Sequence, residues 1–310
     1  MNMDQNKTRV LVLGSSGQVG KKLLSCLEGS SNINVRITSR RLEEVQRLSG
    51  EGKDIVYLDL DDPRTFGVAL AGVDRIFLLT GYTVAMLAQS KTLVDAARKA
   101  GVKHIVHLGV FGEQDCTSPA FAWHQMVEAY IKASGIEWTF LHPNVFMENI
   151  LTLFLQGDAL TTYWNECRMG WVAAEDIARV AATALREGPA KHAGKDYWLS
   201  SDVATGAELA SLLSEILGKE ITANLLGPAE FQDIFTSSSI PVELWYANGG
   251  VEVMRQVVDG RMGYIGSVRD DVPHVTGQHA VTLKQWILEY RQELISSAAI
   301  AGNSTNKSAA

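Results

Sequence analysis

The chain has 310 residues, of which 46% are hydrophobic and 20% are charged, with a formal net charge of −7. This composition predicts a globular protein with a large core, and the negative charge argues against nucleic acid as a ligand, because phosphate backbones bind basic surfaces. Three scattered cysteines (Cys26, Cys116 and Cys167) argue against a disulfide framework and favour a reduced, cytoplasmic compartment. The polar segment 1–8 lacks the apolar core of a signal peptide, and no run approaches the ~18 apolar residues of a membrane helix. We therefore expect neither nucleic acid nor a membrane as a partner.

Strand and helix signals alternate through the first half of the chain. Short apolar runs predict strands at Arg9–Leu13, Asn34–Thr38, Asp54–Leu58, Arg75–Leu79, His104–Leu108 and Trp138–Leu141. Helical spacing predicts helices near Gln18–Leu27, Pro63–Leu70, Val84–Lys99 and Ala122–Ala133. This order is typical of an α/β fold of the Rossmann type, a doubly wound parallel sheet with helices on both faces.

The second half of the chain is less regular. The patterns predict helices at Ala174–Arg186, Gly206–Leu217, Ala229–Phe235, Val242–Val258 and Leu283–Ser296, and strands at Asp196–Ser200 and Ile221–Leu225. We expect residues 7–150 to form a dinucleotide-binding Rossmann domain, with strands returning to it from about 170–200. Residues 151–298 are expected to form a smaller, mostly helical C-terminal lobe that covers the substrate. The small polar residues 299–310 predict a disordered tail.

A glycine-rich turn stands between the first predicted strand and the first predicted helix. It reads Gly14-Ser15-Ser16-Gly17-Gln18-Val19-Gly20, with the spacing GxxGxxG rather than GxGxxG. In this setting Gly14 permits the tight turn, Gly17 lets the backbone approach a pyrophosphate, and Gly20 lets the helix pack closely on the strand. The amides and the positive dipole end of the helix then face the anion. The turn therefore predicts a bound dinucleotide.

Polar residues follow the second and third predicted strands. An acid after the second strand favours NAD, whereas arginine accommodates the 2′-phosphate of NADP. Arg40 and Arg41 stand at this position and therefore favour NADP(H), and Ser39 is placed to add a hydrogen bond to the phosphate. The alternative interpretation is a solvated basic helix start. Asp59 is a candidate contact for adenine, whereas Asp61 or Asp62 fits the cap of the next helix.

The residues expected at the reacting end of the dinucleotide depart from the usual pattern. None of the eight tyrosines is followed four positions later by lysine, so the Tyr-x-x-x-Lys pair that protonates an alkoxide is absent. His124 and Glu128 stand four apart in the corresponding helix. They fit either a proton donor with a carboxylate that orients it, or a pair on the helix surface or with a structural role. Val110 and Phe111 suit a flat apolar substrate, although Phe111 fits a core position equally well. No cysteine–histidine spacing supports a metal site.

These features together resemble the NmrA-like family of atypical short-chain dehydrogenases, over nearly the whole chain. The matching segments are Gly14–Gly20, Arg40, the run from His124 through Glu128 to Pro143–Asn149, Trp171–Ala178 and Asp271–Gly277. The resemblance implies NADP(H) along the glycine turn and Arg40, with Thr80 near the central ribose and Pro143–Phe146 beside the nicotinamide. The candidate cofactor contacts are Gly14, Ser15, Ser16, Gly17, Gln18, Val19, Gly20, Ser39, Arg40, Arg41, Asp59, Leu60, Thr80, Gly81, Pro143, Asn144 and Phe146. The candidate substrate contacts are Val110, Phe111 and Phe146.

That family includes NADPH-dependent quinone and triphenylmethane-dye reductases, and regulators that bind the dinucleotide without known catalysis. The missing tyrosine–lysine pair favours an acceptor that takes hydride without obligatory protonation, such as a quinone, an iminium dye or an activated C=C or C=O group. We expect an NADPH-dependent oxidoreductase acting on such a flat, apolar small molecule, as a monomer or homodimer. The alternative is a catalytically silent NADP(H)-sensing regulator that acts through a protein partner. An epimerase or dehydratase ranks last, because such enzymes generally rely on the missing pair.

Overall fold

The computed structural model describes residues 7–113, 116–233 and 243–296. In chain order its strands are β1 (Thr8–Val12), β2 (Ile33–Ser39), β3 (Ile55–Tyr57), β4 (Arg75–Leu78), β5 (His104–Leu108), β6 (Glu137–Pro143), β7 (Val145–Phe146), β8 (Leu155–Gln156), β9 (Ala159–Thr162), β10 (Met169–Val172), β11 (Lys195–Leu199), β12 (Asp202–Ala204) and β13 (Thr222–Leu225). Its helices are α1 (Gln18–Leu27), α2 (Leu42–Gly50), α3 (Phe66–Leu70), α4 (Met86–Ala100), α5 (Pro119–Ser134), α6 (Ala174–Glu187), α7 (Pro189–His192), α8 (Gly206–Leu217), α9 (Leu244–Val258), α10 (Asp271–Thr276) and α11 (Leu283–Glu289).

A seven-stranded parallel sheet in the order β11-β6-β5-β4-β1-β2-β3 forms the centre of the fold. Successive residues of β1 pack on opposite faces, with Val10 and Val12 towards α1 and α6 and Leu11 towards α3, α4 and α5. All three are 0% exposed, as expected for a parallel strand covered on both faces. The predicted Rossmann-type α/β sheet is therefore confirmed.

The C-terminal lobe contains more strand than the sequence predicted. β10 pairs with β7 and β12, and β9 pairs with β8 and β13, which gives two three-stranded sheets beside α8, α9 and α11. Of the chain between 170 and 200, β11 joins the central sheet and α6 packs on its face. Strand β10 does not join the central sheet, because its Trp171 packs with Phe154 and Trp164 in the core of the lobe.

Several element boundaries also differ from the predictions. Helix α2 was not predicted, although Leu42, Val45 and Leu48 recur along it at intervals of three, and none of its residues is buried. The predicted helix Leu283–Ser296 is interrupted at Tyr290. The predicted helix Ala229–Phe235 extends past the described residues, and the predicted tail 299–310 lies outside them. Among the described helices, none is both long enough and apolar enough to cross a bilayer.

Candidate functional site

A groove of about 620 Å³ opens at the carboxyl ends of β1, β2 and β4. The chain reverses its direction of sheet growth between β1 and β4, and ligands of doubly wound sheets bind at such a switch point. Predicted cofactor contacts that line the groove are Gly14, Ser15, Ser16, Ser39, Arg40, Arg41, Leu60, Thr80 and Gly81. The other lining residues are Leu13, Thr38, Glu44, Leu58, Leu79, Tyr82, Thr83, Gln89 and Glu243.

The glycine turn has the backbone geometry that its sequence predicts. Gly14 has a φ of +67°, which L side chains rarely adopt, and the Gly17 amide donates to the Gly14 carbonyl at 3.0 Å. A Cβ on Gly20 would lie 2.1 Å from the Gly14 oxygen, so only glycine allows α1 to approach the turn this closely. No described side chain caps α1, so the backbone amides of its first turn are left to bind an anion.

The two arginines at the end of β2 differ in their partners. Arg41 pairs with Glu44 at 2.9 Å, and the same carboxylate accepts a hydrogen bond from the Ser39 hydroxyl at 2.6 Å. These hydrogen bonds, the one from Ser39 first, lower the pKa of Glu44. Arg40 is exposed, and no described residue bonds its guanidinium. Of the predicted set, Arg40 is therefore the group that is free to bind a phosphate.

The acidic turn after β3 is mainly structural. The Asp59 carboxylate accepts a hydrogen bond from the Asp61 amide at 3.1 Å, and Asp59 does not line the groove, whereas Leu60 does. Asp62 caps the following turn by accepting from the Arg64 amide at 3.1 Å, as predicted for one of the two later acids. The prediction that Asp59 contacts the dinucleotide gains no support from its position.

Phe111, a candidate substrate contact that fits a core position equally well, and Asn144, expected beside the nicotinamide, are both buried. Phe111 is 1% exposed and packs edge-on against Trp198, with ring centroids 5.1 Å apart. Asn144 is 4% exposed, and its amide donates to the Ile265 carbonyl at 2.8 Å, which ties β6 to the lobe. Pro143 is also buried. The side chains of Phe111 and Asn144 therefore offer little accessible surface to a ligand in this conformation.

Val110 and Phe146 keep the exposure that a ligand contact needs. Both are partly exposed, and both lie just beyond the carboxyl ends of central strands, Val110 after β5 and Phe146 after β6. Neither lines the groove described above. They remain the predicted substrate contacts with accessible surface.

His124 lies inside the protein, against the sheet. It is 4% exposed, its ring centroid is 5.8 Å from that of His107, and its Nδ1 has no partner among the described residues. Burial, with His142 nearby, lowers the pKa of His124 to about 4. The imidazole is therefore neutral at neutral pH and is not held by the Glu128 carboxylate as the helical spacing suggested.

Glu128 faces a different histidine, His142 of β6. Its Oε1 lies 3.7 Å from His142 Nδ1, and its side chain is 11% exposed. His142 Nδ1 lies 3.0 Å from the Val110 carbonyl oxygen and its Nε2 lies 3.0 Å from Asp196 Oδ1, so each ring nitrogen is within hydrogen-bond distance of an acceptor. The ring also stacks on Trp198, with centroids 4.3 Å apart.

Burial gives Glu128 an unusual proton affinity. Desolvation raises the pKa of Glu128 to about 7, with Asp196 acting in the same direction while His142 and Lys132 oppose it. A carboxyl group of this kind holds its proton until neutral pH and can release it there. Of this helical pair, Glu128 rather than His124 is therefore the group that carries a proton just below neutral pH.

Replacing Glu128 by glutamine should change how stability depends on pH. The folded protein binds the Glu128 proton more tightly than the unfolded chain, whose carboxyl titrates near 4.5, so the contribution of Glu128 to stability falls as pH rises from 4.5 to about 7. Glu128→Gln abolishes this fall, and its stability relative to wild type should rise by up to roughly 3 kcal/mol across that range. Urea unfolding between about pH 5 and 8 measures the difference.

Glu137→Gln, which removes an exposed carboxyl from the start of β6, is the matched control for charge. A Glu128→Gln curve parallel to wild type over the whole range would contradict the buried, protonated carboxyl.

Several groove residues come from distant parts of the chain and were not predicted. Glu243, at the start of α9, accepts a hydrogen bond from the Val84 amide at 2.8 Å, across 159 positions of sequence. Tyr82 is 59% exposed and stands edge-on to Tyr246 at 5.4 Å. No local signal marks these residues, because only the folded lobe brings α9 to the loop after β4.

Comparison with known proteins places this fold and groove in context. The sequence is similar to the NAD(P)H azoreductase of Xenophilus azovorans, at 28% identity over 283 residues, covering 89% of this chain and 96% of that protein. The structure of Citrobacter sp. triphenylmethane reductase with NADP(H) has a TM-score of 0.74 at 22% identity, covering 92% of this chain and 99% of that one. The structure of NmrA, a negative transcriptional regulator, with NADP has a TM-score of 0.73 at 17% identity, covering 96% and 98%.

The two structural likenesses concern the fold, since both identities are low. The family assignment comes from the sequence itself, because the model of the NmrA-like family matches residues 6–273, most of the chain. The resemblance drawn from the glycine turn and the segments after His124 is thereby confirmed. This chain belongs to the NmrA-like family.

Proposed function

We propose that the protein is an NADP(H)-dependent oxidoreductase that reduces a flat, apolar electrophile. The observation that carries the proposal is the groove at the end of β1, with an uncapped helix terminus at one side and the unpaired Arg40 at the other. The first site suits a pyrophosphate and the second a 2′-phosphate. The name of the azoreductase relative supports a reductase of this kind.

The residues of the groove fit this cofactor. The amides of the Gly14–Gly20 turn would hold the pyrophosphate, Arg40 the 2′-phosphate, and Leu60, Thr80 and Gly81 the adenosine and central ribose. A side chain at position 20 would keep helix α1 from packing closely on the turn, so the phosphate-binding shape of the turn depends on Gly20. When bound, NADPH would supply the hydride.

The chain's own part in the reaction is to orient the acceptor and to hold a proton. Val110 and Phe146 offer an apolar face beyond β5 and β6. Where the acceptor needs a proton, Glu128 is the proposed donor, because its pKa of about 7 lets it release one at neutral pH. His124, neutral and buried, supports the packing around it.

The proposal predicts NADPH-dependent turnover of electrophiles that need little acid assistance. NADPH oxidation is followed at 340 nm with quinones, azo dyes, triphenylmethane dyes and activated enals as acceptors. We expect turnover with at least one quinone or dye, and slower turnover of simple ketones, because these require obligatory protonation. An Arg40→Ala variant should lose activity at low NADPH concentration and recover it at high concentration.

The same assay separates the reductase from the regulator. Tight NADPH binding without turnover of any acceptor would contradict the reductase and favour a protein that senses the NADP/NADPH ratio. In that case a pull-down at controlled ratio should return one partner whose binding changes with the ratio. Absence of NADPH binding would contradict both functions.

A further inference from the structure

A second cavity, of about 200 Å³, lies between α1, α6 and α10. It is lined by Cys26 of α1, by Arg179, Thr183 and Arg186 of α6, and by Thr276 and Gln278 at the end of α10. Cys26 is eight residues beyond the start of α1, so the cavity lies about 12 Å along that helix from the glycine turn. It is therefore separate from the groove.

The lining of this cavity is positively charged. Arg179, Thr183 and Arg186 follow one another at spacings of four and three and share one face of α6. No described carboxylate lines the cavity. The nearby Asp176 carboxylate is 0% exposed and is already bound by Arg179, by the Ser201 hydroxyl and by the Val281 amide.

Several donors in the cavity lack an acceptor. The Arg179 Nε is buried without a partner among the described residues, while its Nη1 donates to Gln278 Oε1 at 2.8 Å. Arg186 donates from Nη1 to the Cys26 carbonyl at 3.1 Å, and no described group accepts from its other nitrogens. Because Gln278 uses its oxygen for Arg179, its amide nitrogen is left to donate. A buried donor without an acceptor, such as Arg179 Nε, is unfavourable. An oxyanion in the cavity would give it an acceptor and would also accept from the more exposed Arg186 and Gln278.

We propose that this cavity binds a phosphate group, either the free ion or the phosphate of a small metabolite. Guanidinium groups match phosphate oxygens in geometry and charge, and two of them face one small space here. The site is independent of the proposed reductase function, since none of its lining residues lies in the groove.

Phosphate binding is tested by calorimetric titration of the full chain carrying Arg40→Ala, which weakens competition from the groove. We expect one site, and Arg186→Gln in this background should weaken binding by at least about tenfold, because it removes a charge-assisted partner. Arg98→Gln is the matched control, since it removes an exposed arginine at the end of α4 and should leave the affinity unchanged. Tighter binding of inorganic phosphate than of phosphoserine assigns the free ion, and the reverse order assigns an esterified source.

Cysteine labelling gives a second readout that needs no variant. Cys26 and Cys167 are both partly buried thiols, but only Cys26 lines the cavity. Phosphate should slow iodoacetamide labelling of Cys26 and leave the labelling of Cys167 unchanged.

Thr183→Leu, which fills the cavity and keeps both arginines, should abolish phosphate binding and covers the case in which Arg186→Gln does not fold. Absence of binding, an affinity unchanged by Arg186→Gln or Thr183→Leu, or equal labelling of Cys26 with and without phosphate would overturn the proposal.

Discussion

Replacing Arg40 by alanine should raise the Kd for NADPH by about 10- to 100-fold, corresponding to roughly 1.5–3 kcal/mol of charge-assisted hydrogen bonding. Arg40 lines the groove at the end of β2, and no described residue competes for its guanidinium. Because only NADPH carries the 2′-phosphate, the Kd for NADH should stay within about twofold of wild type. Fluorescence or calorimetric titration with both dinucleotides measures the two values.

Arg41→Ala is the matched control for this experiment. Arg41 is the next residue in the chain and lines the same groove, but its guanidinium already pairs with Glu44 at 2.9 Å. An exposed ion pair of this kind contributes little, so we expect a change in NADPH affinity of less than about threefold. An equal loss of affinity for NADPH and NADH in Arg40→Ala, or a larger loss of NADPH affinity in Arg41→Ala, would show that Arg40 does not bind the 2′-phosphate.

The parts of the site that depend on neighbours in sequence were predictable. The glycine turn needs only a strand before it and a helix after it, and both signals lie inside the short segment Arg9–Leu27. The same holds for Arg40, whose place at the end of β2 follows from the length of that strand. The pairing of Arg41 with Glu44 was missed, although the two residues stand three positions apart, because helix α2 itself was not predicted.

The parts that depend on the C-terminal lobe were not predictable. Phe111 follows β5, where a ligand contact is expected, yet Trp198 of β11 and Tyr264 of the lobe pack against it and bury it. His124 and Glu128 have the spacing of a helical pair, but burial decides their chemistry, and that burial comes from packing against His107 of β5 and His142 of β6. A local pattern identifies such residues without fixing their protonation.

Replacing Gly20 by valine should abolish dinucleotide binding and lower the free energy of unfolding by about 2–3 kcal/mol. A Cβ at this position would lie 2.1 Å from the Gly14 oxygen and 2.8 Å from the Gly14 carbonyl carbon and from Ser15 Cα. These neighbours are backbone atoms, so they cannot rotate away, and α1 must move off the turn instead. That movement carries the amides of the first helical turn away from the groove. Urea unfolding and NADPH titration measure the two effects.

Gly67→Val is the matched control, because it makes the same change in helix α3. Nothing lies within 4 Å of a Cβ built on Gly67. Valine is a somewhat better helix former than glycine, so we expect stability within about 0.5 kcal/mol of wild type and unchanged NADPH affinity. If both variants lose the same stability, the cost belongs to valine in a helix and not to the contact at Gly20. If Gly20→Val retains wild-type affinity, the close approach of α1 to Gly14 is not what forms the phosphate cradle.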